Sequence, residues 1–160
     1  MGELARMLND AAARLFADNA DAAARARHEG WQRELWERSV ESGLPLTLVA
    51  EDQGGVGGGW EEAFAVLHPA GLHQIPLPLA ESMLAQRLAS EAGWRIGERL
   101  ASVGADAHGS FDGTFSGVLR AVPWGRDCEL VVTALESAHG ATLLLLPRAA
   151  ATLRSAENLA

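Results

Sequence analysis

Apolar residues recur along the first ninety positions with the spacing of one helical face. Leu4, Leu8, Ala11 and Leu15 share a side, with Met7 beside it, while Arg6, Asp10 and Arg14 fall opposite. This predicts an amphipathic helix over residues 2–19. The 19–21 stretch is a natural break, although the alanines after it favour helix. A second helix is predicted over residues 30–42, with Trp31, Leu35, Trp36 and Val40 as its apolar side. Gly43 suits the left-handed residue that ends a helix, and Pro45 blocks continuation. Residues 46–49 read as a short extended run. A glycine-rich stretch follows, and a third helix starts near Trp60, with Glu61 and Glu62 where its dipole favours negative charge. Trp60, Phe64 and Leu67 are spaced for one buried face. Pro69 would cost about 3 kcal/mol inside a helix, so an end or kink is predicted near Leu67, reinforced by Gly71. A fourth helix is predicted over residues 77–92, with Leu79, Met83, Leu84 and Leu88 as its core side and Gly93 as its end.

From about Arg95 the pattern changes. Gly97, Gly104, Gly109, Gly113 and Gly117 interrupt the chain every few residues. Residues 111–122 alternate loosely. Leu130-Val131-Val132-Thr133 is β-favouring, and residues 141–146 form a continuous apolar run before Pro147, as in a strand buried on both faces. His139-Gly140 reads as the turn between these two strands. The expected architecture is therefore α+β: an antiparallel helical domain over residues 1–94, then a small, partial antiparallel β domain over residues 95–160.

Composition narrows the function classes. Hydrophobic residues make up 48% and charged residues 21%, ordinary for a globular protein, so a packed core is expected. The formal net charge is -8, which repels phosphate backbones and argues against nucleic-acid binding. The single cysteine, Cys128, excludes an internal disulfide. Glu3, Arg6 and Asp10 leave no room for a signal-peptide apolar region. The longest apolar run is far short of the ~20 residues of a membrane helix, so a cytoplasmic protein is expected.

Little chemistry stands out from residue types alone. The cluster from Gly54 to Gly59 lacks the Lys-Ser/Thr of a P-loop and the G-x-G-x-x-G spacing, so it reads as a loop needing positive φ and close backbone approach. Glu51 and Asp52 are expected to hydrogen-bond that loop rather than form an acid–base pair. His28, His68, His73, His108 and His139 show no metal-ligand spacing, and no metal is expected. Cys128, at the start of an apolar strand, reads as a small buried hydrophobe.

The order of motifs says more. Gly43-Leu44 ends a helix; a short apolar stretch leads to Ala50-Glu51-Asp52-Gln53-Gly54-Gly55-Val56-Gly57; Gly71 and Pro76-Leu77-Pro78 precede the next helix. Further on come Gly117, Arg120, Ala121-Val122-Pro123, Cys128-Glu129 and Leu130-Val131-Val132. Over roughly residues 30–147 this order resembles the N-terminal helical domain and the start of the middle β domain of acyl-CoA dehydrogenases. Ala50 stands where the family signature carries proline.

The resemblance implies an FAD-dependent flavoprotein of fatty acid metabolism that dehydrogenates the α,β bond of an acyl-CoA thioester, working as a homo- or hetero-oligomer. It places Val122, Pro123 and Trp124 beside the flavin ring. It also implies departures. Pro123 stands where the family has a threonine or serine, and it offers neither hydroxyl nor N–H. Residues 101–110 are too short for the family's flavin-contacting loop. The C-terminal helical bundle that supplies the catalytic glutamate has no counterpart in this sequence. The chain is thus expected to be the N-terminal portion of such an enzyme, not competent alone; the alternative is a non-catalytic partner subunit or binding module derived from the same fold.

Overall fold

The computed structural model describes residues 1–138 and 140–154. Five helices come first: α1 (Glu3–Ala17), α2 (Ala22–Glu29), α3 (Arg33–Glu41), α4 (Trp60–Leu72) and α5 (Leu79–Glu91). Five strands follow: β1 (Ala101–Gly104), β2 (Asp106–Phe111), β3 (Phe115–Arg120), β4 (Leu130–Ser137) and β5 (Gly140–Pro147). The α+β order is the one expected. The residue His139 of the expected turn before β5 lies outside the described residues.

Helix α1 buries Ala5, Leu8, Ala12 and Phe16, one position round from the expected face, with Leu4 and Leu15 packed at its margin. Helix α3 buries Leu35 and Trp36, and Gly43 takes the left-handed conformation at its end, with φ 71°.

The expected extended run at 46–49 is instead a tight turn. Residues Leu44–Leu46 form a 3-10 helix and Thr47 continues in the helical region. The reason is a backbone clamp. The amides of Val56, Gly57 and Gly58 donate to the carbonyls of Leu46, Val49 and Thr47 at 3.2, 2.8 and 2.9 Å. Only glycine allows that approach: a Cβ at Gly58 would lie 2.9 Å from the Thr47 carbonyl oxygen, and one at Gly55 would overlap the Val49 carbonyl. Gly54 and Gly57 also need positive φ, 89° and 72°. Neither Glu51 nor Asp52 bonds the glycine amides through its side chain, contrary to expectation. The carboxylate that does is Glu62, which accepts from the Gly59 amide at 2.8 Å and steadies the start of α4.

Helix α4 departs from the sequence reading twice. It does not end near Leu67 but runs through Pro69 to Leu72. Proline removes the amide that would bond the Ala65 carbonyl. Asn9 on α1 replaces it, donating through Nδ2 to that oxygen at 3.0 Å. The helix also faces the other way. Ala63, Ala65, Val66, Pro69 and Ala70 are buried, while Trp60 and Phe64 are 62% and 67% exposed. Small side chains bring α4 close to α1, where Ala5 and Ala12 are fully buried, and the aromatics are left outside. The Arg87 guanidinium of α5 lies 5.4 Å from the centre of the Trp60 ring.

The main sheet has order β1-β4-β5, and β2–β3 is a separate hairpin. The β4–β5 pair is antiparallel, but β1 pairs with β4 in parallel, from Ala101 beside Leu130 to Gly104 beside Thr133. The chain leaves β1 into the hairpin and returns to the same end, a crossover long enough for parallel pairing. Residues 111–122, read as one strand, are split: Phe111 and Phe115 close the hairpin across a turn with Gly113 at φ 96°. In β5, Leu144 is buried and its neighbours are half-buried, so it is only partly covered on its two faces. Helix α5 packs Ala85 and Ala89 against Ala101, Leu130 and Val132 of the sheet.

Removing the Asn9 amide should leave the Ala65 carbonyl without a partner. N9A is expected to lower unfolding free energy by about 1–2 kcal/mol in urea titrations. The loss should shrink in a P69A background, where the helix can supply the bond itself; an undiminished loss in the double mutant would show that Asn9 acts otherwise.

Candidate functional site

The three residues singled out by the family resemblance, Val122, Pro123 and Trp124, lie in the turn between β3 and β4. This turn is strained. Ala121 has φ 48° and Trp124 has φ 54°, the left-handed region that non-glycine residues avoid at roughly 1–2 kcal/mol each. Such strain persists where the surroundings hold it.

Here the hold is visible bond by bond. The hydroxyl of Ser102, fully buried on β1, donates to the Pro123 carbonyl at 2.6 Å. The Gly125 amide closes back on the Val122 carbonyl at 3.2 Å, and the amides of Asp127 and Cys128 both reach the Trp124 carbonyl at 2.9 Å. Arg148, just past β5, donates through Nε to the Gly125 carbonyl at 3.1 Å. The half-buried Trp124 ring meets Trp31 edge-on with centroids 5.7 Å apart, and Trp31 in turn sits 6.1 Å from Trp36. Val122 packs against the main core, and Pro123 is exposed.

The structure thus brings Val122, Pro123 and Trp124 to the seam between helices and sheet. Sequence reasoning missed Ser102 and Arg148, which act on backbone oxygens from distant strands. It also placed Trp31 inside a helix. Trp31 instead precedes α3 and supplies the helical side of the seam.

A flavin ring would need flat apolar contact and hydrogen-bond donors at its edge. The turn supplies part of this. Val122 and Pro123 form an apolar rim, and the amides of Val122 and Trp124 are not spent on the turn's own bonds. No hydroxyl or cation of these three residues can add to them. The residues fit one edge of a flavin and cannot enclose it.

The other candidates stay structural. Burial pushes the Cys128 thiol above its ordinary range against the opposing pull of Arg148, so it is a poor nucleophile. His108 pairs with Asp106 at 2.6 Å on an exposed strand, and His68 lies against Phe64. Among the described residues no group of three or more His, Cys, Asp or Glu could hold a metal ion. No helix among them is long and apolar enough to cross a membrane.

No protein-family model matches the sequence, and no curated protein matches it significantly. Solved structures do match. One is a chain of the ChsE4-ChsE5 complex from Mycobacterium tuberculosis, with TM-score 0.75 and 20% identity over 92% of this chain and 48% of that one. A second is a variant of the Tcur3481-Tcur3483 steroid ACAD, with TM-score 0.76 and 23% identity over 91% of this chain and 48% of the other. The fold is that of acyl-CoA dehydrogenases. The chain spans about half the length of these two proteins. TdsC from Paenibacillus sp. A11-2, solved with FMN and indole, is more distant, with TM-score 0.58 and 14% identity over 88% of this chain and 43% of that one.

If the left-handed geometry at Trp124 is the source of strain, glycine should be better tolerated there than alanine. Both substitutions lose the contact with Trp31, but W124G is expected to be more stable than W124A by about 1 kcal/mol in urea unfolding. The reverse order would mean that the turn relaxes out of this conformation. For Cys128, raised in the folded state, the native protein holds its proton longer than the unfolded chain. Stability should therefore fall as pH rises beyond the ordinary thiol range, and C128A should remove that fall.

Proposed function

We propose that this chain is the front part of an FAD-dependent acyl-CoA dehydrogenase, built from a helical domain over residues 1–94 and a partial β domain over residues 95–160. In this reading the substrate is an acyl-CoA thioester. A proton leaves its α-carbon for a carboxylate base and a hydride leaves its β-carbon. A bound flavin supplies the two-electron acceptor. No residue of this chain is assigned as the base, so the chain alone is not competent. Its contribution is positional: Val122 and Pro123 form the apolar rim against the ring, and the amides of Val122 and Trp124 point polar contacts at its edge. The cell compartment proposed is the cytoplasm, and the metabolic setting is fatty acid metabolism.

The observation that carries this reading is the turn of residues 121–125. It is strained, tied down from β1 and from beyond β5, and lies at the position that the family resemblance assigns to the flavin. Strain kept under such restraint is characteristic of sites where geometry matters.

A second reading, a non-catalytic partner subunit of the same fold, draws support from α4. Trp60, Phe64 and Leu72 are all more than half exposed on that helix. Large exposed apolar side chains on one element favour association. Two of the similar structures, ChsE4-ChsE5 and Tcur3481-Tcur3483, each pair two named proteins, which makes a hetero-oligomer the assembly to test first.

Purified by itself without refolding, the chain should show no flavin absorbance near ~450 nm, since it supplies one edge of a site and not the cofactor's enclosure. Stoichiometric FAD in that preparation would end the claim that it is insufficient. Reading the gene beyond the codon for Ala160 separates the two proposals. An open frame encoding a helical bundle with a glutamate favours the enzyme part; an immediate stop favours the partner subunit.

A further inference from the structure

Helix α4 carries large apolar side chains on the face it turns away from the core. Trp60 and Phe64 stand one turn apart on that face, and both are more than half exposed. Their placement is fixed in advance. The Arg87 guanidinium of α5 sits 5.4 Å from the centre of the Trp60 ring, and its Nε donates to the Glu91 carboxylate at 2.8 Å. The Phe64 ring meets the His68 ring at 5.7 Å. Aromatic groups already held in place lose little freedom when a partner arrives.

The same face ends on a flat place. Gly71 follows Phe64 by seven residues, two helical turns, and so shares its side of the helix. Nothing inside the chain calls for glycine there. Its backbone is helical, not left-handed, and a Cβ would meet nothing within 4 Å. Glycine within a helix costs up to about 1 kcal/mol relative to alanine. The gain for which that cost is borne lies outside this copy of the chain.

We infer that this face docks a second copy of the chain, with the two α4 helices antiparallel about a two-fold axis. Such an interface must be complementary to itself, and this one is. Reversing one helix on the other sets Trp60 of each copy over Gly71 of its partner, with the two Phe64 rings near the middle. The acidic first turn, Glu61 and Glu62, comes beside the half that bears His68 and His73, and the helix dipoles run head to tail. The area is sufficient. Thirteen residues make α4 about 20 Å long, and the flanks of α1 and α5, roughly 8–10 Å to either side, give a similar breadth. Each copy then offers roughly 500 Å², and about 1,000 Å² in total is where specific interfaces begin. The inference rests on the exposed α4 of the partner-subunit reading and deepens it by naming occupant and geometry. A chain that stays monomeric would sink the pairing of like copies and leave the hetero-oligomer standing.

Sedimentation velocity on the full chain, from about 1 to about 300 µM, tests this, since an interface near the lower size limit should dissociate in the micromolar range. The dimer fraction should rise across that range. F64E brings two carboxylates into the apolar middle and should raise the dissociation constant about tenfold or more. G71L is the sharper probe. It adds apolar surface, which would tighten loose association, yet it fills the place that Trp60 of the other copy needs, so the constant should rise about tenfold. Both positions open outward, so both variants should keep their circular dichroism. Should F64E fail to fold, G71L decides. A monomer at every concentration, a dimer indifferent to F64E in a folded variant, or a dimer tightened by G71L would each overturn the assignment.

Discussion

The rest of this structure depends on three backbone hydrogen bonds from the glycine stretch into the turn before it. The amides of Val56, Gly57 and Gly58 seize the carbonyls of Leu46, Val49 and Thr47. That contact brings two stretches of main chain together with no side chain between them, which is why the sequence spends glycine after glycine there. Its consequences spread outward. The turn buries Leu44, Leu48 and Val49, and the two leucines join the main core. It also sets where α4 begins, since Gly59 immediately follows the clamp and is held by Glu62. Helix α5 then packs against the 3-10 turn at Leu44–Leu46 and against β1 together. A glycine-rich loop that looks at first like a ligand cradle is here a structural joint.

The strained turn at residues 121–125 obeys a different logic. Two left-handed non-glycine residues cost roughly 1–2 kcal/mol each. The hydrogen bonds that hold the turn offset part of that, each contributing about 0.5–1.5 kcal/mol. The Ser102 and Arg148 bonds come from opposite ends of the β segment, so the turn cannot relax without disturbing both. The Trp31–Trp124 contact adds the helical side. A turn held by β1, by the chain beyond β5 and by the approach to α3 reports the correct assembly of all three. This is the physical reason for treating it as the candidate site, beside the motif order that pointed to it.

How much could be read in advance follows from where the information lies along the chain. Four helix positions came from apolar spacing and from local stop signals such as Gly43, and these survive, whereas α2, short and weakly patterned, was not assigned. Which face of α4 is buried did not. That helix is apolar on two sides, alanine and valine on one and aromatics on the other, and periodicity cannot say which side packs. The continuation through Pro69 was hidden because its remedy, Asn9, sits 56 residues from the Ala65 carbonyl that it serves. Strand β1 has only four residues and too little pattern to announce itself, and with it went the parallel pairing. In the candidate site, Val122, Pro123 and Trp124 were legible because neighbours in sequence remain neighbours in the turn. Ser102 and Arg148 reach it across 21 and 23 residues, and side-chain bonds to distant backbone leave no local trace.

The change from helix to strand near residue 94 does not divide the core. The cluster that binds α1, α3, α4 and α5 also contains Leu100, Cys128 and Val131 from the sheet side, with Leu119 and Val122 against it. The second cluster is closed from the helical side by Ala85, Ala89 and Leu88. Val131 and Val132, adjacent on β4, point to opposite faces as a strand requires, and each face meets a different cluster. Strand β4 is therefore shared by both hydrophobic bodies, with β1 and β5 on its two sides. Removing the strands would expose apolar surface on the helices, and removing the helices would leave a three-stranded sheet bare on the face that α5 covers. The two parts are distinct in secondary structure and one in packing. That unity keeps the turn at residues 121–125 at a fixed distance from Trp31, and so gives a strained loop on one half a stable wall on the other.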